Sequence, residues 1–442
     1  MKTPIFALAL LGAAAAWGQQ QSTVPDYLGP EVLSRGASGV GQRAGKDVDL
    51  RFYAEASGIY DTGLAPVSVD GNGKLVHVGG LYGVELGLGA YGRHAFRHSV
   101  LGIDYGGTYR HYTKNPYFDG ANQQFTLGYS WQKSQRVIFE FQQTAGTSAY
   151  ASSLTGGLPL ATDAVDDSTL LFDNRTTFFG SKVDMTYIKS ARTSYTIGGT
   201  FDRIFRQSKA LIGVRGYGLH GSVQHRFSAR STAGFSYQRN RYEFPGIFGG
   251  SDIDNFSGSY SRQFGRSWFI SVAAGFYHSQ VEGVSQVALE PALALLLGVR
   301  SVVIPFYRVN FVPSGRAELQ RRFRNAVWSV SYDQRVTPGN GVYLTSRQDR
   351  ADTGFSYSGI RKFSLALRGG YSRMGSLGET LPPYSQYIAD TNVTYAITDA
   401  FHLTAGFGAM HQEIDGGNFN RNATRTTIGI AFSPGNIPIS FR

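Results

Sequence analysis

The sequence predicts an all-β protein, a transmembrane antiparallel up-and-down β-barrel of about 18 strands, with 16 as the alternative. Three observations carry this. An export signal precedes a chain with no apolar run long enough for a membrane helix. Apolar and polar residues alternate with a period of two in segment after segment. The connections between those segments are short and long in strict alternation.

The chain begins MKTPIFALALLGAAAAWGQQQ: Lys2, an apolar run from Ile5 to Ala16, then small residues before a polar stretch. This is the layout of a secretory signal peptide, with cleavage near Gly18. The run is about a dozen residues, short of the roughly 20 that a spanning helix needs. Residues 1–18 are therefore read as the signal, 19–47 as a periplasmic segment and 48–442 as the barrel. The chain has no cysteine, which excludes disulfides, thiolate metal sites and thiol nucleophiles. Gly (56), Phe (30) and Tyr (26) are abundant while Met and Trp number four each, an unusual make-up for a soluble α/β enzyme. The formal charge is +11, but the basic residues are scattered, so no nucleic-acid partner is expected.

The elements follow in order. VDLRFYAEASGIYD (48–61) places Val48, Leu50, Phe52, Ala54 and Tyr60 on one face and Asp49, Arg51, Glu55, Ser57 and Asp61 on the other. Next comes GVELGLGAYGRHAF (83–96), which contains GLGAYG, a literal G-x-G-x-x-G. That fingerprint binds a dinucleotide only where a strand enters it and a helix leaves it. Here Val84, Leu86, Leu88 and Ala90 alternate with Glu85, Gly87, Gly89 and Tyr91, and a turn and a returning strand follow. The glycines are expected on the polar face of a strand. The pattern continues through Phe125 to Trp131, Val137 to Phe141, Trp268 to Phe276 and Trp328 to Tyr332, and ends with RTTIGIAF (425–432). The segments are mostly about 11 to 15 residues long, close to what a tilted membrane strand needs.

Very short turns occur at RHAFRHS, QKSQ, KSAR, FSAR, FGRS, FRN, IRKF and TDAF, about 37 residues apart except for two wide gaps. The two longest loops fill those gaps, at about 147–172 and about 281–301. Short turns alternating with long loops place the turns in the periplasm and the loops outside. A soluble propeller also repeats at about 40 residues, but it packs both strand faces against protein. Burying so many polar faces would strand unpaired groups, whereas a water-filled lumen solvates them.

On these features the sequence resembles the β-barrel proteins of the Gram-negative outer membrane, over essentially all of the mature chain. TPGNGVYLTSR (337–347) and FSPGNIPISF (432–441) resemble segments of uncharacterised acidobacterial-type barrels. The resemblance implies insertion by a barrel-assembly machinery that reads an aromatic in the final strand, here Phe432 or Phe441. It also implies a setting of outer-membrane lipid and lipopolysaccharide, and leaves a homo-oligomer open. In porins the third external loop typically folds inward to narrow the pore. By that resemblance Asp163, Asp166 and Asp167 of the 147–172 loop would face wall residues such as Arg51 and Arg110; an ordinary surface loop with solvated acids is the equal alternative.

No catalytic motif of fixed spacing occurs. His94 and His98 have the i, i+4 spacing that binds zinc on a helix, but they fall in a tight turn. His220, Ser222 and Asp202 lie on polar faces of neighbouring segments, where a hydrolase triad is conceivable and a plain polar wall more natural. Asp252 and Asp254 do not match a calcium loop. No cofactor, metal or catalytic residue is assigned. The expected function is a porin-like channel for small hydrophilic solutes, with weak anion preference. Its expected pore-lining residues are Arg51, Arg110, Arg215, Arg226, Arg322, Arg335, Arg368 and Arg425. The alternative is a silent barrel that displays loops for adhesion, ligand binding or an unidentified activity. The 281–301 loop favours it, since Pro291 followed by ALALLLG reads as a short apolar helix.

Overall fold

The computed structural model describes residues 48–442 apart from 63–66, 70–74, 78–79, 115–118, 150–174, 210, 289, 291–300, 379–380, 416–419, 434–436 and 440–442. The signal peptide, the 19–47 segment, the acids Asp163, Asp166 and Asp167 and the expected helix at Pro291 all lie outside the described residues.

The wall opens with β1 (Val48–Asp61), followed by a small external hairpin of β2 (Val67–Val69) and β3 (Leu75–His77). Then come β4 (Leu81–Ala95), β5 (Ser99–Tyr112), β6 (Gly120–Gln132), β7 (Val137–Ser148), β8 (Thr176–Ile188) and β9 (Thr193–Arg206). They are followed by β10 (Val214–Ser228), β11 (Ser231–Glu243), β12 (Gly250–Phe264), β13 (Trp268–Ala288) and β14 (Ser301–Arg322). The last are β15 (Ala326–Gly339), β16 (Leu344–Tyr357), β17 (Phe363–Ser376), β18 (Tyr384–Ala396), β19 (Phe401–Ile414), β20 (Asn420–Phe432) and a short β21 (Ile437–Ile439). Each long strand pairs antiparallel with its sequence neighbours, and β1 pairs with both β4 and β20. The sheet therefore closes into a barrel of 18 strands. Closure pairs the strands all the way round, which is what a membrane demands of β-structure, although β14 meets β15 only from Gly315 to Arg322.

The eight short turns sit where the sequence placed them, at 96–98, 133–136, 189–192, 229–230, 265–267, 323–325, 358–362 and 397–400. β21 continues the line of β20 along β1 with one residue of slip. Ala54 faces Phe432, but four residues earlier Leu50 faces Ile437, five residues later.

Side chains alternate as a pleated wall requires. Phe52, Leu86, Leu88, Ile197, Leu219, Phe235, Ile428 and Ile430 are exposed on outward rows, while Arg51, Ser57, Asp61, Arg110 and Arg425 are buried on inward rows. Gly89 of the GLGAYG stretch faces inward beneath the Tyr53 ring, which a Cβ there would strike at 2.0 Å. The glycine seats an aromatic side chain, not a phosphate.

One expectation is corrected. The 281–301 segment is not a loop throughout. β13 and β14 run on as one ladder of 21 residue pairs, from Trp268↔Arg321 to Ala288↔Ser301. The sequence SVVIPFYRVNFV, with which the extension of β13 pairs, is dense in β-branched and aromatic residues, which favour a pleated surface. The hairpin outlasts the adjoining wall, because β12 ends opposite Glu282.

Candidate functional site

The inward rows are rich in charge, and the charges neutralise one another locally. On β1, β4, β5 and β20, Arg110 pairs with Glu85, and Arg425 holds Asp61 through Nε at 2.7 Å and Nη2 at 2.6 Å. Nearby, Thr404 donates to Glu55 at 2.9 Å. On β16 and β17, Asp352 accepts from Arg350 at 2.5 Å and from Arg368 at 3.4 Å. On β8 and β10, Asp184 sits between Lys182 Nζ at 3.1 Å and His220 Nε2 at 2.7 Å. Among the described side chains, thirteen inward cations (Arg51, Arg110, Lys182, Arg206, Arg226, Arg308, Arg316, Arg322, Arg335, Arg350, Arg368, Arg421, Arg425) meet eleven inward anions. The anions are Glu55, Asp61, Glu85, Asp104, Glu140, Asp184, Asp202, Glu318, Asp333, Asp352 and Asp390. Strands β11 to β13 contribute none of these charges; their inward rows carry Ser, Thr, Asn, Gln and apolar residues.

Seven of the eight arginines expected in the lumen lie on inward rows. Arg51, Arg110 and Arg425 are buried, Arg335 donates to Gln348 at 3.0 Å, Arg368 reaches Asp352, and Arg226 and Arg322 stand near the periplasmic turns. Arg215 is the exception. It shares the outward row of Tyr217 and Leu219, at the external end of β10, with Glu243 at 3.8 Å. Val214, not Arg215, is the fully buried residue there. Counting alternation from the first residue of a strand fails where that strand begins on its other face.

The other candidate constellations do not assemble. His220 meets Asp184; Asp202 pairs with Gly216, four residues along β10 from His220. The His94 ring packs edge-on against Phe96 at 4.4 Å. Asp252 and Asp254 lie in a strand, not a loop: Tyr237 donates to Asp254 at 2.7 Å, and Arg241 reaches Asp252 at 3.7 Å.

The external mouth holds what the sequence reading missed. The hairpin formed by the ends of β15 and β16 leaves the wall and crosses the lumen. Its residues Val336, Thr337, Tyr343, Thr345 and Ser346 are buried. Val336 joins a core with Phe178, Ile204, Val214, Tyr242, Phe244, Ile253 and Val312, inward residues from the external ends of β8 to β14. At the tip, the Ile212 amide donates to the Gly341 carbonyl at 3.1 Å. On the opposite side Tyr343 packs with Met374 and Tyr384, and its hydroxyl donates to the Pro382 carbonyl at 2.7 Å. Burial, and then the Asp415 carboxylate, push the Tyr343 phenol up, so it stays a neutral donor.

The tip is built for this tight passage. Asn340 Oδ1 accepts from the amides of Val342 at 3.2 Å and Tyr343 at 3.1 Å. Gly339 (φ 78°) and Gly341 (φ 95°) adopt left-handed backbone, and a Cβ on Gly341 would lie 2.6 Å from Arg206 Nε. The signal for this was present as PGNG, two glycines about an asparagine, which demands special backbone but does not say which way the hairpin leans.

The exterior decides the setting. Leu86, Leu88, Ile197, Leu219, Phe235 and Ile428 belong to an apolar surface that encircles the wall, far beyond what a soluble protein exposes. No described helix is long and apolar enough to cross a membrane, so the strands do the crossing. The chain is a membrane-spanning β-barrel. No family model matches its sequence, and no curated protein does. Among solved structures it is similar to a BenF-like porin from Pseudomonas fluorescens Pf-5, at 12% identity and a TM-score of 0.44, covering 88% of this chain and 100% of that one. It is also similar to Pseudomonas aeruginosa OccK2 (OpdF) in complex with glucuronate, at 11% identity and a TM-score of 0.43, covering 89% and 100%. Pseudomonas aeruginosa OpdL follows at 10% identity and a TM-score of 0.41, covering 87% and 99%.

Proposed function

We propose that this barrel is a passive channel for small hydrophilic solutes, weakly selective for anions and throttled at its outer mouth. The observation that carries this reading is the inward wall. Its charges are paired side to side along the strands and leave a polar surface that a water-filled lumen can solvate. The seven inward arginines, Arg51, Arg110, Arg226, Arg322, Arg335, Arg368 and Arg425, line the path in this reading. The hairpin at Val336–Ser346 narrows it, and Asp163, Asp166 and Asp167 would oppose anions if their loop also turns inward. We assign no chemical step to the barrel.

The rival reading, a barrel that displays loops, draws on the β13–β14 hairpin standing beyond the wall. Single-channel recording of the purified protein in planar bilayers separates the two. Discrete open steps are expected; a silent insertion, with heat-modifiable mobility proving the barrel intact, would favour display.

A further inference from the structure

The wall of the closed barrel has a seam. β14 pairs with β15 over only eight residues, from Arg322↔Val327 to Gly315↔Gln334, although β14 continues for fourteen residues beyond Gly315 on its β13 side. Above Gly315, β15 leans into the mouth and β14 stays upright. Among the described residues, the backbone from Ser301 to Ser314 pairs with β13 alone.

The sequence marks this edge. Pro305 and Pro313 both lie in β14, opposite Val284 and Phe276 of β13. A proline is tolerated in a ladder only where its nitrogen points away from the partner strand. Being eight residues apart, the two point to the same side, toward the missing neighbour. Two donors are thus deleted along the free edge, which discourages addition of another strand.

The seam joins two apolar surfaces. Outside it stand Tyr307, Val309 and Phe311, the last 72% exposed. Inside it, Val312 and Val336 belong to the apolar core of the mouth, next to the uncharged inward rows of β11 to β13. Further out on the same row of β14 stand Asn310 and Arg308, the latter 5.6 Å over the Phe306 ring, which suits an amphiphile's polar end. Among the described residues, Leu377 and Gly378 close the gap between the two surfaces, with the Leu377 amide donating to the Thr345 carbonyl at 3.0 Å. Leu377 packs on that core, its carbonyl accepts from Asn310 Nδ2 at 3.3 Å, and Gly378 approaches Phe306 and Val281. An open sheet edge does not face hydrocarbon unless protein or a cavity lies behind it.

We propose that this seam is a lateral port, with Leu377–Gly378 as its door, through which an apolar or amphiphilic small molecule passes between the mouth and the outer leaflet. The proposal rests on the barrel spanning the outer membrane, not on its conducting ions.

The test uses cells producing the full chain and N-phenylnaphthylamine, an uncharged fluorophore that an intact lipopolysaccharide leaflet excludes. These cells should take up the probe several-fold faster than cells without the barrel. In the Asn310→Cys/Leu377→Cys variant, oxidation with copper phenanthroline should return uptake to background and dithiothreitol should restore it, with single-channel conductance unchanged in both states. If that pair does not cross-link, Leu377→Asp, which puts a carboxylate in the doorway, should lower uptake to the same extent. Uptake that ignores the barrel, the cross-link or Leu377→Asp would overturn the port. So would a cross-link that lowers conductance and uptake alike, or disulfide-linked dimers of Phe311→Cys, which would make the edge a docking strand. A silent barrel with door-dependent uptake would refute the channel reading and leave the port standing.

Discussion

Asp61 and Arg425 show what a single inward residue contributes. Asp61 is 0% exposed and Arg425 is 2% exposed, and the pair bridges the first and last wall strands at the closure of the barrel. Removing one partner of a buried ion pair leaves the other desolvated and uncompensated, so Asp61→Ala should cost about 3–5 kcal/mol. Urea unfolding of the folded barrel in lipid vesicles measures this, and adding Arg425→Leu to that variant should recover much of the loss. An uncoupled pair of effects would mean that water reaches the bridge. On the other face, Leu365 stands in the outward row with Leu367. Leu365→Arg should cost about 2–4 kcal/mol if it lies near the bilayer midplane, whereas Arg368→Leu on the inward row should be far milder. Equal costs would reverse the assignment of faces.

At the scale of elements, the Val336–Ser346 hairpin is held in the mouth by backbone that only glycine adopts readily. Gly341→Val adds both a strained φ and a clash with Arg206, so the hairpin should swing out of the lumen. The barrel should still form, and single-channel conductance should rise, by roughly twofold if the mouth clears. Unchanged conductance would mean that the hairpin does not limit the pore. This element also shows where sequence reading stops. Strands and turns were legible because a wall with lipid on one side and water on the other imposes a period of two on every segment. The hairpin obeys neither solvent: Val336 and Tyr343 are buried against the chain itself, so their spacing carries no trace of which wall they meet. Arg215 escaped for a related reason. At the end of a strand, headgroups and water tolerate charge on the outward row, and polarity ceases to report direction.

For the molecule as a whole, the placement of charge sets the expected selectivity. The lumen wall is nearly balanced, and several of its members are paired with one another, so it supplies little net field. The periplasmic turns are different. They carry Arg97, Lys133, Arg136, Lys189, Arg192, Arg230, Arg266, Arg324, Arg361 and Lys362, ten cations, against the one acid Asp399. A ring of this sign raises the local anion concentration at the inner opening, over roughly one Debye length, about 8 Å at physiological salt. The expected outcome is a modest anion preference in reversal potentials measured across a salt gradient, fading as total salt rises. The variant Lys189→Glu/Arg192→Glu/Arg266→Glu changes the rim by six charges without touching the lumen, and should abolish or invert the preference while leaving conductance at high salt nearly unchanged. A clear cation preference in the unaltered protein would refute the rim as the source and transfer selectivity to Asp163, Asp166 and Asp167.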